Sequence, residues 1–204
     1  MDLLVGYFEI VATKYNSEKN EQTLDAAFTK PIAYLARRYP ELFCEVFEDS
    51  LVLSGPREQA SAFVDTVQGL FTSWSSDYIL ARGGISYGEI NHISDPFNKV
   101  LHDHLNNLQM RRVEGPGLNL AYQTSASNGP GMICLVDKAA GHVIMSISPE
   151  VLSEDRNQLI WIEPAQLESF RHIFQLMLLD ETMGMPAVES TILGTIDFLD
   201  TLQV

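Results

Sequence analysis

The chain has 204 residues, 46% of them hydrophobic and 20% charged, which is an ordinary globular composition with enough length for one substantial core. The net charge of −14, with only 13 Lys and Arg residues, excludes nucleic acid and anionic membrane surfaces as partners, because both are bound through clustered cations. Two cysteines in apolar runs, and no apolar run near the ~20 residues of a membrane span, predict a cytoplasmic protein in a reducing compartment.

The first elements alternate between strand and helix. An apolar run over residues 3–11 predicts a strand, and helical spacing over 21–38 predicts either one kinked helix or two short ones, because Pro31 interrupts it. Residues 43–47 and 50–53 bracket an acidic pair and predict a β-hairpin.

Residues 59–74 have helical spacing, and residues 78–93 alternate as a strand with two glycines at its middle. Polar residues 94–112 predict a loop plus a helix. A short helix over 116–125 and a core strand over 132–136 follow, with 142–146 expected as a strand beside it.

The C-terminal part is helical in pattern. Apolar residues recur at helical spacing over 164–179 and over 188–202, and Gly184 and Pro186 separate the two helices. The complete order predicts an α+β fold with a ferredoxin-like βαββαβ core, an added helix–strand unit and two C-terminal helices. We expect residues 1–147 to form one domain and residues 148–204 to form a helical extension packed on it.

Two carboxylates stand where strands end. Glu9 follows a run of apolar or small residues, and Asp49 lies between the two strand segments of the hairpin. A partly dehydrated carboxylate is costly unless it meets a cation, and Mg²⁺ prefers oxygen ligands together with substrate phosphates. The alternative from spacing alone is that Glu9 faces solvent at an edge and Asp49 shapes the turn.

Glycine motifs follow the carboxylates in chain order. RGGISYG at 82–88 and GPGLNLAYQ at 115–123 precede a Gly-Pro-Gly element that enters the strand at 132–136. This series resembles the class III nucleotide cyclases over residues 3 to 137. RGGISYG fits their Arg-x-Gly-Ile-x-x-Gly pattern at every fixed position. Glu9 stands where the family has Asp, Glu48 where it usually has Gly, and Gln123 where it has Arg.

The resemblance implies an enzyme that converts a nucleoside triphosphate into a 3′,5′-cyclic monophosphate and pyrophosphate, with residues 1–147 as the catalytic domain. Glu9 and Asp49 would hold Mg²⁺ or Mn²⁺, Asn119 would orient the ribose, and Gln123 would stand in the place of a charge-stabilising Arg. Arg82 and Arg111 are candidates to supply the missing charge. Sites of this family lie between two subunits, so a homodimer is implied.

Base choice in the family depends on two positions, occupied here by Glu45 and Arg112. The pair matches neither the adenine-selecting nor the guanine-selecting set, and Arg offers donors to a carbonyl-rich edge such as that of uracil. The residues of the two glycine motifs resemble those of small stand-alone bacterial cyclases, which include uridylate and cytidylate cyclases of anti-phage signalling. The alternative is that Glu45 and Arg112 are surface residues, or pair with each other.

Two other interpretations compete with an active cyclase. The changes at Glu9 and Gln123 are also expected of a degenerate cyclase domain kept as a nucleotide-binding or regulatory subunit. Residues 84–88 fit the G-x-S-x-G nucleophile elbow, but strand-like alternation continues after them where that motif requires a sharp turn and a helix.

Overall fold

A five-stranded mixed sheet forms the centre of the protein. The structure is a computed structural model and describes residues 2–13, 21–47, 49–93, 112–180 and 186–202. The strands of this sheet are β1 Asp2–Thr13, β2 Phe43–Val46, β3 Ser50–Gly55, β4 Ile79–Glu89 and β7 Cys134–Val136. They lie in the order β2-β3-β1-β4-β7 and are antiparallel except for the parallel pair β4–β7. A separate two-stranded sheet contains β5 (Asn91–Ile93) and β6 (Arg112–Glu114).

Six α-helices are described around the sheet. They are α1 Glu21–Arg38, α2 Ala60–Ser76, α3 Pro116–Ala126, α4 Lys138–Met145, α5 Leu167–Leu179 and α6 Pro186–Thr201. Buried residues of α1, α2, α5 and α6 share one core with Leu4, Phe8 and Leu53 of the sheet. Helix α3 covers part of the opposite face, where Ala121 packs with a smaller cluster around Val5 and Val52. The C-terminal helices are therefore part of the main core.

The order β2-β3-β1-β4 confirms the predicted ferredoxin-like core. Strand β3 lies between β1 and β2, and β1 lies between β3 and β4, as two interleaved βαβ units require. Helix α3 and strand β7 are the added helix–strand unit, and β7 extends the sheet beyond β4. The alternation along β1 places Phe8 in the main core and Glu9 on the opposite face, so the strand register decides where the carboxylate lies.

Two local predictions need correction, and the alternative of two short helices over residues 21–38 is excluded. Residues 142–146 were expected to form a strand, but they belong to α4 and its end, because the Asp137 side chain accepts a hydrogen bond from the Ala140 N–H and caps the helix. Helix α1 is continuous through Pro31. The strand expected over 78–93 is divided, since β4 ends at Glu89 and the following β5 belongs to the second sheet.

The loop and helix expected over 94–112 lie outside the described residues except for Arg112, which begins β6. Both cysteines are free, with Cys134 buried and Cys44 partly buried, and burial raises the pKa of the Cys44 thiol to about 11. Among the residues that the structure describes, no helix combines the length and apolar character needed to cross a bilayer.

Candidate active site

The two candidate metal ligands lie on neighbouring strands. Glu9 is inside β1, which continues to Thr13, and is paired with Ser50, the first residue of β3. The next residue along β1, Ile10, donates its N–H to the carbonyl oxygen of Asp49 at 2.9 Å. Asp49 itself is exposed in the connection between β2 and β3, where the Phe47 N–H donates to the Ser50 carbonyl at 2.8 Å. The backbone of Asp49 is thus adjacent to the part of β1 that carries Glu9.

A cation already contacts one of these carboxylates. Glu9 is also the cross-strand partner of Arg82 in β4, whose Nε donates to Glu9 Oε1 at 2.6 Å. The two side chains are 21% and 33% exposed, respectively, so this ion pair is partly withdrawn from water. Charge assistance and partial burial make it stronger than an ordinary surface pair.

Tyr7 lies two residues before Glu9 and on the same face of β1. Burial raises the pKa of the Tyr7 hydroxyl, the negative charges of Glu9 and Asp49 raise this pKa further, and a hydrogen bond with the Ser50 side chain opposes these effects. Both carboxylates therefore lie close enough to act on the same tyrosine hydroxyl, although burial is the largest cause of its raised pKa.

Helix α3 is held against β4 by backbone contact. A side chain at Gly84 would collide with the backbone of Ala121 and Ser125, so the glycine allows the helix to cross the strand closely. The buried Ser86 hydroxyl donates to the Gly117 carbonyl at 2.6 Å, which ties the first turn of α3 to the same strand. At the N-terminal end of the helix, Gly115 has a φ of 145° that favours glycine.

This packing determines where the other candidate catalytic residues lie. Asn119 and Gln123 are one helical turn apart on α3, and both are exposed in the single chain. Tyr122, between them in sequence, reaches back to the sheet and contacts the Tyr7 ring edge-on, with centroids 5.2 Å apart. Asn119 and Gln123 are therefore free to face a second molecule, while Tyr122 links their helix to the strand that carries Glu9.

The base-selecting candidates have different environments. Glu45 of β2 is only 7% exposed, so the expectation of a surface residue does not hold for it. Its cross-strand partner is Val52, which in turn pairs with Tyr7, and the three lie in one row across the sheet on the face that carries Glu9. Arg112 begins β6 and pairs with Ile93 through the backbone, and its side chain lies outside what the structure describes.

Sequence reasoning placed Arg82 among the candidates for a catalytic charge, but did not find its pairing with Glu9. Tyr7 and Tyr122 were not considered at all. Glu9 lies inside β1 and Arg82 inside β4, so the two side chains meet only in the correct strand register. That register depends on contacts between residues 73 positions apart, which the local pattern does not contain.

The donor set fits a hard divalent cation only in part. Glu9 and Asp49 offer carboxylate oxygens from neighbouring strands, but the described residues contain no group of three or more His, Cys, Asp or Glu side chains able to hold a metal ion. Mg²⁺ is commonly bound through one or two carboxylates plus substrate phosphates. The arrangement therefore suits a metal that is completed by a nucleotide, and does not suit a metal held by protein alone.

Solved structures similar to this chain include nucleotide cyclase domains. The guanylyl cyclase domain of the RhoGC fusion protein from the aquatic fungus Blastocladiella emersonii is 15% identical over 71% of this chain and 84% of that one, with a TM-score of 0.56. The guanylyl cyclase Cya2 is 11% identical over 71% of this chain and 78% of that one, with a TM-score of 0.54.

The catalytic core of a rhodopsin-guanylyl cyclase with converted specificity, in complex with ATPαS, is 11% identical over 78% of this chain and 92% of that one, with a TM-score of 0.55. No protein-family model and no curated protein matches the chain. At these identities the comparisons show that the chain has the fold of nucleotide cyclase catalytic domains.

Proposed function

We propose that the protein is a nucleotide cyclase that forms a 3′,5′-cyclic nucleoside monophosphate and pyrophosphate from a nucleoside triphosphate. The observation that carries this proposal is the placement of Glu9 and Asp49 on neighbouring strands, where the Ile10 N–H donates to the Asp49 carbonyl, within a fold otherwise found in cyclase domains. Two carboxylates on adjacent strands would provide oxygen ligands for Mg²⁺ or Mn²⁺ together with substrate phosphates.

We assign the roles of the chain's own residues from the family positions that they match. Glu9 and Asp49 would hold a divalent ion, which when bound activates the ribose 3′-hydroxyl and binds the triphosphate. Asn119 orients the ribose through its amide, and Gln123 donates a hydrogen bond to the transferred phosphoryl group. Since Gln123 carries no charge, it stabilises the transition state less than an arginine would.

A homodimer would complete the site. Asn119 and Gln123 are exposed on α3, and exposed residues that must contact substrate require a second surface to enclose it. In a symmetric dimer, Asn119 of each subunit would face Glu9 and Asp49 of the other. Structural neighbours include both a dimeric and a monomeric crystal form of one guanylyl cyclase domain.

We further propose UTP or CTP as the substrate. The buried Glu45 lies on the same sheet face as Glu9, which is compatible with a base pocket beside the metal site. Glu45 and Arg112 together differ from the purine-selecting pairs, and arginine donors match pyrimidine carbonyls. A cytoplasmic role in bacterial anti-phage signalling rests on the resemblance of the motifs alone.

The decisive experiment incubates the purified chain with each of the four nucleoside triphosphates and Mn²⁺ or Mg²⁺, followed by chromatographic separation of cyclic products. We expect one cyclic pyrimidine nucleotide to dominate, and Asp49→Asn to abolish its formation while the circular dichroism spectrum stays unchanged. A chain that turns over none of the four nucleotides, or an Asp49→Asn variant with full activity, would refute the mechanism.

A second candidate is a catalytically inactive nucleotide-binding subunit. The ion pair that engages Glu9 and the uncharged Gln123 favour it. Nucleotide-dependent stabilisation without turnover would identify this function, because a ligand that binds only the folded state raises the melting temperature by mass action.

A further inference from the structure

The ion pair between Arg82 and Glu9 is built into the sheet. Both residues are fixed by direct pairing of β1 with β4, and the Nε–Oε1 distance of 2.6 Å is that of a short charge-assisted hydrogen bond. The side chains of Arg82 and Glu9 are 33% and 21% exposed, so most of each is shielded from solvent. The contact therefore follows from the pairing of β1 with β4.

This ion pair lies at the position where the divalent cation is expected. Glu9 is one of the two carboxylates available to the ion, and the second, Asp49, lies in the adjacent connection between β2 and β3. One of the two oxygens of Glu9 is therefore already used by a cation. A divalent ion that approached Glu9 would lose part of its ligand set and would meet the positive charge of the guanidinium at short range, where Coulomb repulsion is strong.

We infer that Arg82 is a positioning residue that competes with the divalent metal for Glu9, so that the protein binds metal weakly until a nucleotide brings additional oxygen ligands. This inference rests on the proposed function, because it assigns Glu9 to the metal. Its consequence is an order of binding: the metal enters as a complex with the triphosphate, and the nucleotide-free site is held together by Arg82 in place of a metal.

The test measures Mn²⁺ binding to the nucleotide-free protein by following the electron paramagnetic resonance signal of free Mn²⁺. Arg82→Gln removes the competing charge and is expected to bind Mn²⁺ at least about tenfold more tightly than the wild type, given the size of short-range charge interactions near a protein surface. The double variant Arg82→Gln/Glu9→Gln also removes the Glu9 carboxylate that would bind the metal. We expect it to lose the gain in Mn²⁺ affinity.

Arg171→Gln is the matched control. Arg171 pairs with Glu168 and Asp200 on the C-terminal helices, so its substitution makes the same change in net charge away from Glu9. We expect its Mn²⁺ affinity to equal that of the wild type. A similar gain for both Gln variants would mean that net charge alone is responsible, and would overturn the inference.

Arg82→Lys is a second variant, which keeps the test possible if Arg82→Gln does not fold. The lysine keeps the charge but loses the planar group fixed on Glu9, and we expect Mn²⁺ affinity between those of the wild type and Arg82→Gln. Tight Mn²⁺ binding by the wild type, or unchanged affinity in the Arg82 variants that fold, would refute the competition. These readouts require no turnover, so an inactive protein can still support the inference and an active one can still refute it.

Discussion

The ring of Tyr122 meets the ring of Tyr7 edge-on, at an interplanar angle of 77° and a centroid separation of 5.2 Å. The contact joins helix α3, which carries Asn119 and Gln123, to the strand that carries Glu9. Tyr122 is 52% exposed, so the pair stabilises mainly through ring geometry. It is a specific link between the two groups of candidate site residues.

We expect Tyr122→Ala to lower the free energy of unfolding by about 1 kcal/mol, the usual range for an aromatic pair. Tyr122→Phe keeps the ring and should unfold within about 0.3 kcal/mol of the wild type, because a half-exposed hydroxyl loses little on removal. Urea denaturation followed by circular dichroism measures both. Equal destabilisation by the two variants would show that the ring contact contributes nothing.

The crossing of α3 over β4 makes a second prediction. Gly84→Ala places a methyl group against the backbone of Ala121 and Ser125, which cannot rotate away, and should destabilise the fold by about 1–3 kcal/mol. Gly129→Ala is the control, since a methyl group there meets nothing within 4 Å. Thermal unfolding should place the control close to the wild type and Gly84→Ala clearly below it. Similar stabilities for the two variants would contradict the close crossing.

Most of the fold is predictable from the sequence because each strand and helix has its own hydrophobic period. The run from Val143 to Met145 misled because so short an apolar stretch fits a buried helix as well as a strand, and the capping hydrogen bond of Asp137 decides the outcome. The two carboxylates could be found from their place beside apolar runs, although β1 continues past Glu9 to Thr13. The pairing of Glu9 with Arg82 could not, since strand register is a tertiary property.

Base choice is tested at the buried Glu45. Glu45→Gln is nearly isosteric and replaces a charged acceptor by an amide that also donates, so a base contacting it would meet a changed pattern of hydrogen bonds. We expect the preference among the four nucleotides to change by about tenfold, the usual effect of one altered hydrogen bond. Product ratios from competition between UTP, CTP, ATP and GTP measure it. Identical ratios, in a variant of unchanged stability, would remove Glu45 from the base pocket.

The most informative substitution at the site adds the charge that Gln123 lacks. Gln123 is exposed on α3, so Gln123→Arg is expected to leave the melting temperature within about 2 °C of the wild type. If Gln123 contacts the transferred phosphoryl group, a guanidinium there stabilises its developing charge, and kcat should rise by about 10- to 100-fold with little change in KM. Gln123→Lys, which brings charge without a planar pair of donors, should give a smaller increase. Ser127→Arg adds the same charge one turn further along the chain, at an exposed position just after the helix, and should leave kcat unchanged. Equal activity in Gln123→Arg and the wild type would show that Gln123 does not face the reacting phosphate.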